Sequence, residues 1–179
     1  MSGDLLFAAL AARAPDEVVL QGTTQTWRAA ELLSAIELLA SRLATSRVLA
    51  VLADNGPAWV IADLAALRAG IVHLPLPDFF SQTQLAHALE QSGADTLLTD
   101  QPARIAKLDL GFAIGGKWHG LVWMQRSAVS VSLPTATAKV SFTSGSTGTP
   151  KGACLSAAGL LDTARAVASR LADLPIRRH

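Results

Sequence analysis

The sequence has one cysteine, no tyrosine and few charged residues, and these scarcities exclude several classes of protein. Cys154 is the sole cysteine among 179 residues, so an intramolecular disulfide framework and a cysteine-based zinc site are both excluded. A chain without disulfides fits a reducing, cytoplasmic setting. Because Cys154 lies in an apolar stretch, we expect its thiol to pack against neighbouring side chains.

Charge is scarce as well: charged residues make up 16% of the chain and the formal net charge is +1. The net charge is therefore too small to attract nucleic acid or an acidic membrane surface as a partner. The apolar stretch at residues 59–76 is interrupted by Asp63, Arg68 and His73, so it lacks the about 20 apolar residues that a membrane span needs. The first four residues carry no lysine or arginine, which favours a first helix over a secretory signal.

Hydrophobic residues are abundant, at 50% of the chain, which excludes general disorder. Their spacing alternates between helical periodicity and short extended runs. The predicted helices cover residues 4–13, 29–44, 55–69, 82–91 and 156–171. The predicted strands cover residues 17–20, 25–27, 48–53, 73–76, 95–98, 121–124 and 138–142. This rhythm predicts an α/β fold, in which helices flank a layered and mostly parallel sheet.

Helix ends and domain boundaries can also be predicted. We expect Asp54 or Asn55 to cap the third helix and Ser81 the fourth, with Gly70 and Gly93 ending them. We expect Asp78, like Asp54, to be a cap rather than a general base. No linker or charge run divides the chain, so residues 1–179 are predicted to form one unit.

One segment, residues 143–152, combines hydroxyls, glycines and a lysine directly after a predicted strand. Glycines let backbone N–H groups approach a ligand closely, and adjacent N–H and hydroxyl donors with a mobile ammonium group suit phosphate oxygens. We predict that this segment binds phosphate oxygens, with Lys151 as a mobile positive charge. The predicted phosphate-binding residues are Thr143, Ser144, Gly145, Ser146, Thr147, Gly148, Thr149, Lys151 and Gly152.

Two other interpretations of the segment are less favourable. A flexible linker would not place Pro150, Lys151 and Gly152 between regular elements. A Walker A loop requires glycine where Pro150 stands, and serine or threonine where Gly152 follows the lysine. No metal site made of protein side chains is predicted, because no histidine has a partner at ligand spacing.

The sequence from Thr143 to Gly152, Thr-Ser-Gly-Ser-Thr-Gly-Thr-Pro-Lys-Gly, closely resembles the phosphate loop of the adenylate-forming, AMP-binding enzymes. These are the acyl- and aryl-CoA synthetases, luciferase and the adenylation domains of nonribosomal peptide synthetases. Residues 64–76 are similar to a helix–Gly–strand–Pro segment of that family, and residues 91–98 to its next strand. The resemblance runs in order from about residue 25 to residue 171.

The resemblance implies that a carboxylate attacks the α-phosphorus of ATP, pyrophosphate leaves, and a thiol captures the acyl-adenylate. The implied co-substrates are ATP with Mg²⁺ and a thiol acceptor, either coenzyme A or a phosphopantetheine arm; the implied partners are the carboxylic acid and that acceptor. Residues 143–149 would donate to the β- and γ-phosphates of ATP, and Lys151 would be the catalytic residue that offsets charge on the departing pyrophosphate. Fatty, aryl and amino acids all remain open as substrates.

The sequence also departs from the family. The family has a later aromatic-Gly-x-Thr-Glu motif, but here no glutamate follows a threonine, and Lys151 is the last lysine. We therefore expect residues 1–179 to be an incomplete N-terminal AMP-binding subdomain without the C-terminal lid, inactive alone. The alternative is a naturally short, non-catalytic chain that binds a nucleotide or a partner protein. An incomplete sheet would expose an apolar edge, so self-association is a further expectation.

Overall fold

The computed structural model describes residues 2–143 and 150–172, and its side chains from residue 5 onward. The helices are α1 Ser2–Ala11, α2 Ala29–Arg42, α3 Pro57–Ala69, α4 Gln82–Gln91, α5 Pro102–Ala106 and α6 Ala157–Leu171. The strands are β1 Val18–Gln21, β2 Thr26–Arg28, β3 Val48–Leu52, β4 Val72–Pro75, β5 Thr96–Thr99, β6 Ala113–Trp118, β7 Leu121–Gln125, β8 Thr137–Thr143 and β9 Lys151–Ser156.

A seven-stranded sheet in the order β6-β7-β5-β3-β4-β8-β9 forms the centre of the chain, and β1 and β2 form a separate hairpin. The four central strands, β5, β3, β4 and β8, run parallel to one another. Antiparallel strands extend the sheet on both sides, with β7 and β6 beyond β5 and with β9 beyond β8. The α/β class and the parallel centre are confirmed, whereas the antiparallel flanks were not predicted.

Helices cover both faces of the parallel centre. All five residues of β3 are buried, as expected for a strand with helices on both sides. Leu49 and Val51 belong to an apolar cluster with α2 and α3 on one face. Ala50 and Leu52 belong to a second cluster with α4 and α5 on the other face. The alternation of side chains along β3 therefore divides the core into two layers.

Most predicted helix ends are confirmed. The Ser81 side chain accepts a hydrogen bond from the Gln84 backbone N–H, which starts α4, and Gly70 ends α3 with φ of 69°. The prediction that Asp54 or Asn55 caps α3 is wrong: Gly56 is the capping residue and a proline follows it. Proline supplies a fixed φ suited to the first helical position, so no side-chain cap is required.

Three elements and one burial prediction differ from the sequence analysis. Strands β6 and β9 and the five-residue helix α5 were not predicted. Cys154 was expected to pack, but it is exposed. Its strand, β9, forms one outer edge of the sheet and is exposed at every residue. The apolar side chains of this strand are therefore not buried by the described residues.

Candidate functional site at the carboxyl edge of the sheet

The predicted phosphate-binding segment connects β8 to β9. Thr143 is the last residue of β8, Lys151 is the first residue of β9, and the two are opposite each other in the antiparallel register. Because β8 runs parallel to β4, Thr143, where the segment begins, lies at the carboxyl edge of the parallel centre. Ligands of open α/β sheets bind beyond this edge. Six predicted residues lie outside the described residues: Ser144, Gly145, Ser146, Thr147, Gly148 and Thr149.

The described ends of the segment present two donor groups together. Thr143 and Lys151 are both exposed, and opposite residues of an antiparallel pair project from the same face of the sheet. A hydroxyl and an ammonium group therefore stand side by side where the connection begins and ends. This arrangement can donate hydrogen bonds and positive charge to an anionic ligand.

Gly152, also predicted as a phosphate-binding residue, has a clear packing reason to be glycine. It lies opposite Phe142 in the register. A Cβ atom at position 152 would stand 3.1 Å from Phe142 Cζ and 3.1 Å from Val140 Cγ1, closer than ordinary van der Waals contact. The glycine thus leaves room for the Phe142 and Val140 side chains on that face of the hairpin. On the other side of the Phe142 ring lies His87 of α4, with ring centroids 6.2 Å apart.

Acidic residues follow three neighbouring strands at the same edge. Asp54 follows β3, Asp78 follows β4 and Asp100 follows β5. The Asp54 backbone N–H lies 3.5 Å from Asp100 Oδ2. Asp54 and Asp78 were expected to be helix caps, which is wrong because Gly56 and Ser81 occupy those positions. Among residues 2–143 and 150–172, no three histidine, cysteine or acidic side chains are grouped so as to hold a metal ion.

A cluster of charged groups on β4, β8 and α3 was not found by sequence reasoning. His73 of β4 is 1% exposed, and its Nδ1 lies 2.7 Å from Asp63 Oδ1, although out of hydrogen-bond alignment. Lys139 of β8 is opposite His73 in the register, and its Nζ lies 2.9 Å from the same carboxylate. Residues 63, 73 and 139 are too far apart in sequence for any spacing rule to join them.

Burial and charge pull the pKa values of this cluster in opposite directions. Burial lowers the pKa of His73 below 6.5 and Lys139 lowers it further, while Asp63 only partly offsets them. Burial alone would raise the pKa of Asp63, but His73 and Lys139 bring it below 3.8. At neutral pH the cluster therefore holds an ionised aspartate and an uncharged imidazole.

A mostly parallel sheet with helices on both faces defines an α/β protein, and ligands of such open sheets bind beyond the carboxyl edge of the parallel strands. The family comparison agrees: residues 7–176 match the AMP-binding enzyme family, and the chain belongs to that family. The recognition made from residues 143–152 is thereby confirmed.

The chain is similar to peptide synthetases in sequence. It is 34% identical over 154 residues to a plipastatin synthase from Bacillus subtilis, an alignment covering 82% of this chain and 6% of that protein. It is 28% identical over 177 residues to a surfactin synthase from the same species, covering 89% of this chain and 5% of that protein. The chain thus spans about one-twentieth of the length of these two relatives.

Solved structures share the fold. The o-succinylbenzoate CoA synthetase of Bacillus subtilis, in complex with an acyl-adenylate intermediate, has a TM-score of 0.65 at 23% identity and matches 96% of this chain. A putative long-chain-fatty-acid CoA ligase of Rhodopseudomonas palustris has a TM-score of 0.73 at 19% identity and matches 93%. The chain covers 46% and 47% of these two proteins. Among the residues that the structure describes, no helix is long and apolar enough to cross a membrane.

Proposed function

We propose that the chain is the N-terminal part of an ATP-dependent acid–thiol ligase, which activates a carboxylate as an acyl-adenylate and releases pyrophosphate. The observation that carries this proposal is the family match over residues 7–176, which includes a donor-rich connection at the carboxyl edge of the sheet. A cytoplasmic location is part of the proposal, because the single exposed Cys154 suits a reducing compartment.

The donors of residues 143–149 would hold the β- and γ-phosphates of ATP, and Gly152 would keep the Phe142 ring packed below them. Lys151 would offset the negative charge that accumulates on the departing pyrophosphate, which is electrostatic stabilisation by a fixed cation. Mg²⁺ would arrive with the nucleotide and screen the phosphate charges, as is usual for nucleotide-bound magnesium. A solved B. subtilis relative in complex with ATP and a magnesium ion supports this expectation.

The class of acid substrate and the class of thiol acceptor are proposed from the relatives of this chain. The sequence relatives are peptide synthetases, which supports an amino acid substrate and a carrier-bound phosphopantetheine arm. The structural relatives named as CoA synthetases share the fold at lower identity and support an aryl or fatty acid with coenzyme A. A substrate panel should therefore contain all three classes of acid.

The first experiment measures binding of Mg²⁺–ATP and of pyrophosphate to this chain by calorimetry. We expect Lys151→Ala to weaken pyrophosphate binding about tenfold, which corresponds to about 1.4 kcal/mol. Lys117→Ala is the matched control, because Lys117 is an exposed lysine on β6, the strand farthest from β8 on the other side of the sheet. Equal weakening by both substitutions would contradict a specific phosphate site.

The second experiment tests whether the chain completes the reaction. With ATP, Mg²⁺, hydroxylamine and the acid panel, we expect no acyl-hydroxamate from this chain, since no Thr-Glu pair is present. An immunoblot of the source cells then separates the two alternatives. A band several-fold heavier than 18.7 kDa would support the ligase, and that longer product should form hydroxamate. A band at 18.7 kDa would favour the short, non-catalytic chain that binds a nucleotide or a partner.

A further inference from the structure

Strand β8 carries the start of the proposed phosphate-binding segment, and among the described strands it joins the parallel centre through β4 alone. The register pair between these two strands is His73 opposite Lys139. On its outer side β8 pairs with β9, which is exposed at every residue. Side-chain contacts between β8 and the helical layer can therefore contribute to the position of the β8–β9 hairpin.

Side chains supply such contacts at that same register pair. Lys139 Nζ donates a 2.9 Å hydrogen bond to Asp63 Oδ2 and lies 2.9 Å from Asp63 Oδ1. The lysine side chain is 18% exposed and the aspartate 28%, so solvent screens this pair less than it screens a surface pair. Because Asp63 belongs to α3, the ion pair joins a helix that packs on the sheet to strand β8.

The same turn of α3 adds an aromatic contact. Trp59 lies one helical turn before Asp63, and its ring faces the Lys139 ammonium at 5.6 Å from the ring centroid. The Trp59 and His73 rings meet edge to face with centroids 5.4 Å apart. Lysine over a tryptophan ring is favourable at this distance. Lys139 is therefore held by a carboxylate and an aromatic face, both presented by one helix.

The cluster lies at a distance from Thr143, the residue where the segment begins. Lys139 precedes Thr143 by four residues, and at about 3.3 Å per residue this places it roughly 13 Å along the strand. Side chains on one face of a strand recur every second residue, so Lys139 and Thr143 share the face toward α3. The cluster can therefore act on Thr143 through the position of β8.

We propose that Asp63 and Lys139 are positioning residues, whose ion pair fixes the β8–β9 hairpin against α3 and so places the connection between Thr143 and Lys151 for phosphate binding. The phosphate part of this inference rests on the proposed function. The anchoring part is a property of the folded chain and is measured separately.

The test compares Asp63→Asn, Lys139→Met and Lys139→Arg with a matched control on the same helix. The control is Arg68→Met, which removes the exposed ion pair between Arg68 of α3 and Glu37 of α2, with Nε and Oε1 2.7 Å apart. Amide hydrogen exchange is followed in peptides covering residues 138–143 and 151–156 and, as an internal reference, residues 48–52. Pyrophosphate affinity is measured by calorimetry on the same samples.

We expect Asp63→Asn and Lys139→Met to accelerate exchange in the hairpin at least tenfold while exchange in residues 48–52 changes less than twofold. Pyrophosphate binding should weaken about fivefold in both variants. Lys139→Arg keeps the charge and should restore both properties to within twofold. Arg68→Met should leave hairpin exchange unchanged. Unchanged hairpin exchange in the first two variants, or equal acceleration in residues 48–52, would overturn the anchoring role.

Lys151→Ala separates this proposal from the proposed function. That substitution should weaken pyrophosphate binding without accelerating hairpin exchange, because Lys151 is exposed. If the unsubstituted chain binds neither pyrophosphate nor Mg²⁺–ATP, the proposed function fails, while the exchange data still decide whether Asp63 and Lys139 anchor the hairpin. If the unsubstituted chain binds pyrophosphate and Asp63→Asn does not weaken that binding, the positioning role is wrong and the proposed function stands.

Discussion

At the scale of single residues, the buried imidazole of His73 makes stability depend on pH. Burial lowers its pKa in the folded chain below the 6.5 of an unfolded one, so the unfolded state binds a proton more readily. As pH falls below 6.5, protonation therefore favours unfolding, and stability decreases until the folded-state pKa is reached. The groups that face His73 are Asp63 and Lys139. Asp63 stays ionised in this window because its own pKa lies below 3.8.

Urea unfolding between pH 8 and pH 5 measures this effect. We expect the urea midpoint of the unsubstituted chain to decrease as the pH is lowered from 8 to 5. In His73→Gln the midpoint should depend much less on pH. The matched variant is His119→Asn, because partial burial also lowers the pKa of His119, although the residue as a whole is exposed. Asparagine tolerates the positive φ of 42° at position 119. A larger flattening in His119→Asn than in His73→Gln would contradict the assignment.

The sequence revealed the candidate site only where the chemistry lies in consecutive residues. Residues 143–152 could be recognised because their hydroxyls, glycines and lysine are adjacent. The cluster of Asp63, His73 and Lys139 could not be recognised, because these residues come together only when α3, β4 and β8 pack in the folded chain. The contact between His87 and Phe142 could not be recognised either. Such contacts depend on sheet order, which local spacing does not determine.

At the scale of elements, the start of α4 offers a direct test of capping. The Ser81 side chain accepts from the Gln84 N–H, while the Gln84 side chain accepts from the Ser81 N–H. We expect Ser81→Ala to cost about 1 kcal/mol, equivalent to a decrease of about 2–4 °C in Tm for a chain of this size. Helix α4 buries Leu85 and Leu89, so its loss of stability is transmitted to the core. Differential scanning calorimetry measures the decrease.

Ser156→Ala provides the comparison, since Ser156 caps α6 with a similar bond to the Gly159 N–H at 3.2 Å. No described residue of α6 is buried. We therefore expect this second substitution to increase local amide exchange in α6 while it changes Tm by less than Ser81→Ala does. Equal decreases in Tm would mean that α6 contributes to the core as much as α4.

Several of the elements that sequence patterns predicted have a buried face. The continuous apolar run at β3 and the capped helices α3 and α4 all lie against the core. Strand β6 was missed because it contains two adjacent glycines and five exposed residues, so neither composition nor alternation marks it. Strand β9 was missed because it is exposed throughout, so its sequence shows no alternation between buried and exposed residues. Among the described strands it pairs only with β8.

At the scale of the whole molecule, the β9 edge of the sheet leads us to expect contacts between isolated chains. Strand β9 lies at that edge and is exposed, and an unprotected edge strand is a template for pairing with another chain. Leu155 on β9 is 37% exposed and Val167 on the neighbouring α6 is 51% exposed, which adds apolar surface. We expect sedimentation velocity to show reversible, concentration-dependent self-association of the isolated chain.

The substitution Leu155→Lys should shift this equilibrium toward monomer, because a charge on an edge strand disfavours pairing with a second edge. Leu38→Lys is the control: Leu38 is 52% exposed but lies on α2, away from β9. Both are measured with a reductant, since the exposed Cys154 could otherwise link two chains through a disulfide. If the association disappears with reductant alone, it is covalent. If Leu38→Lys weakens it as much as Leu155→Lys does, the contact does not involve the β9 edge.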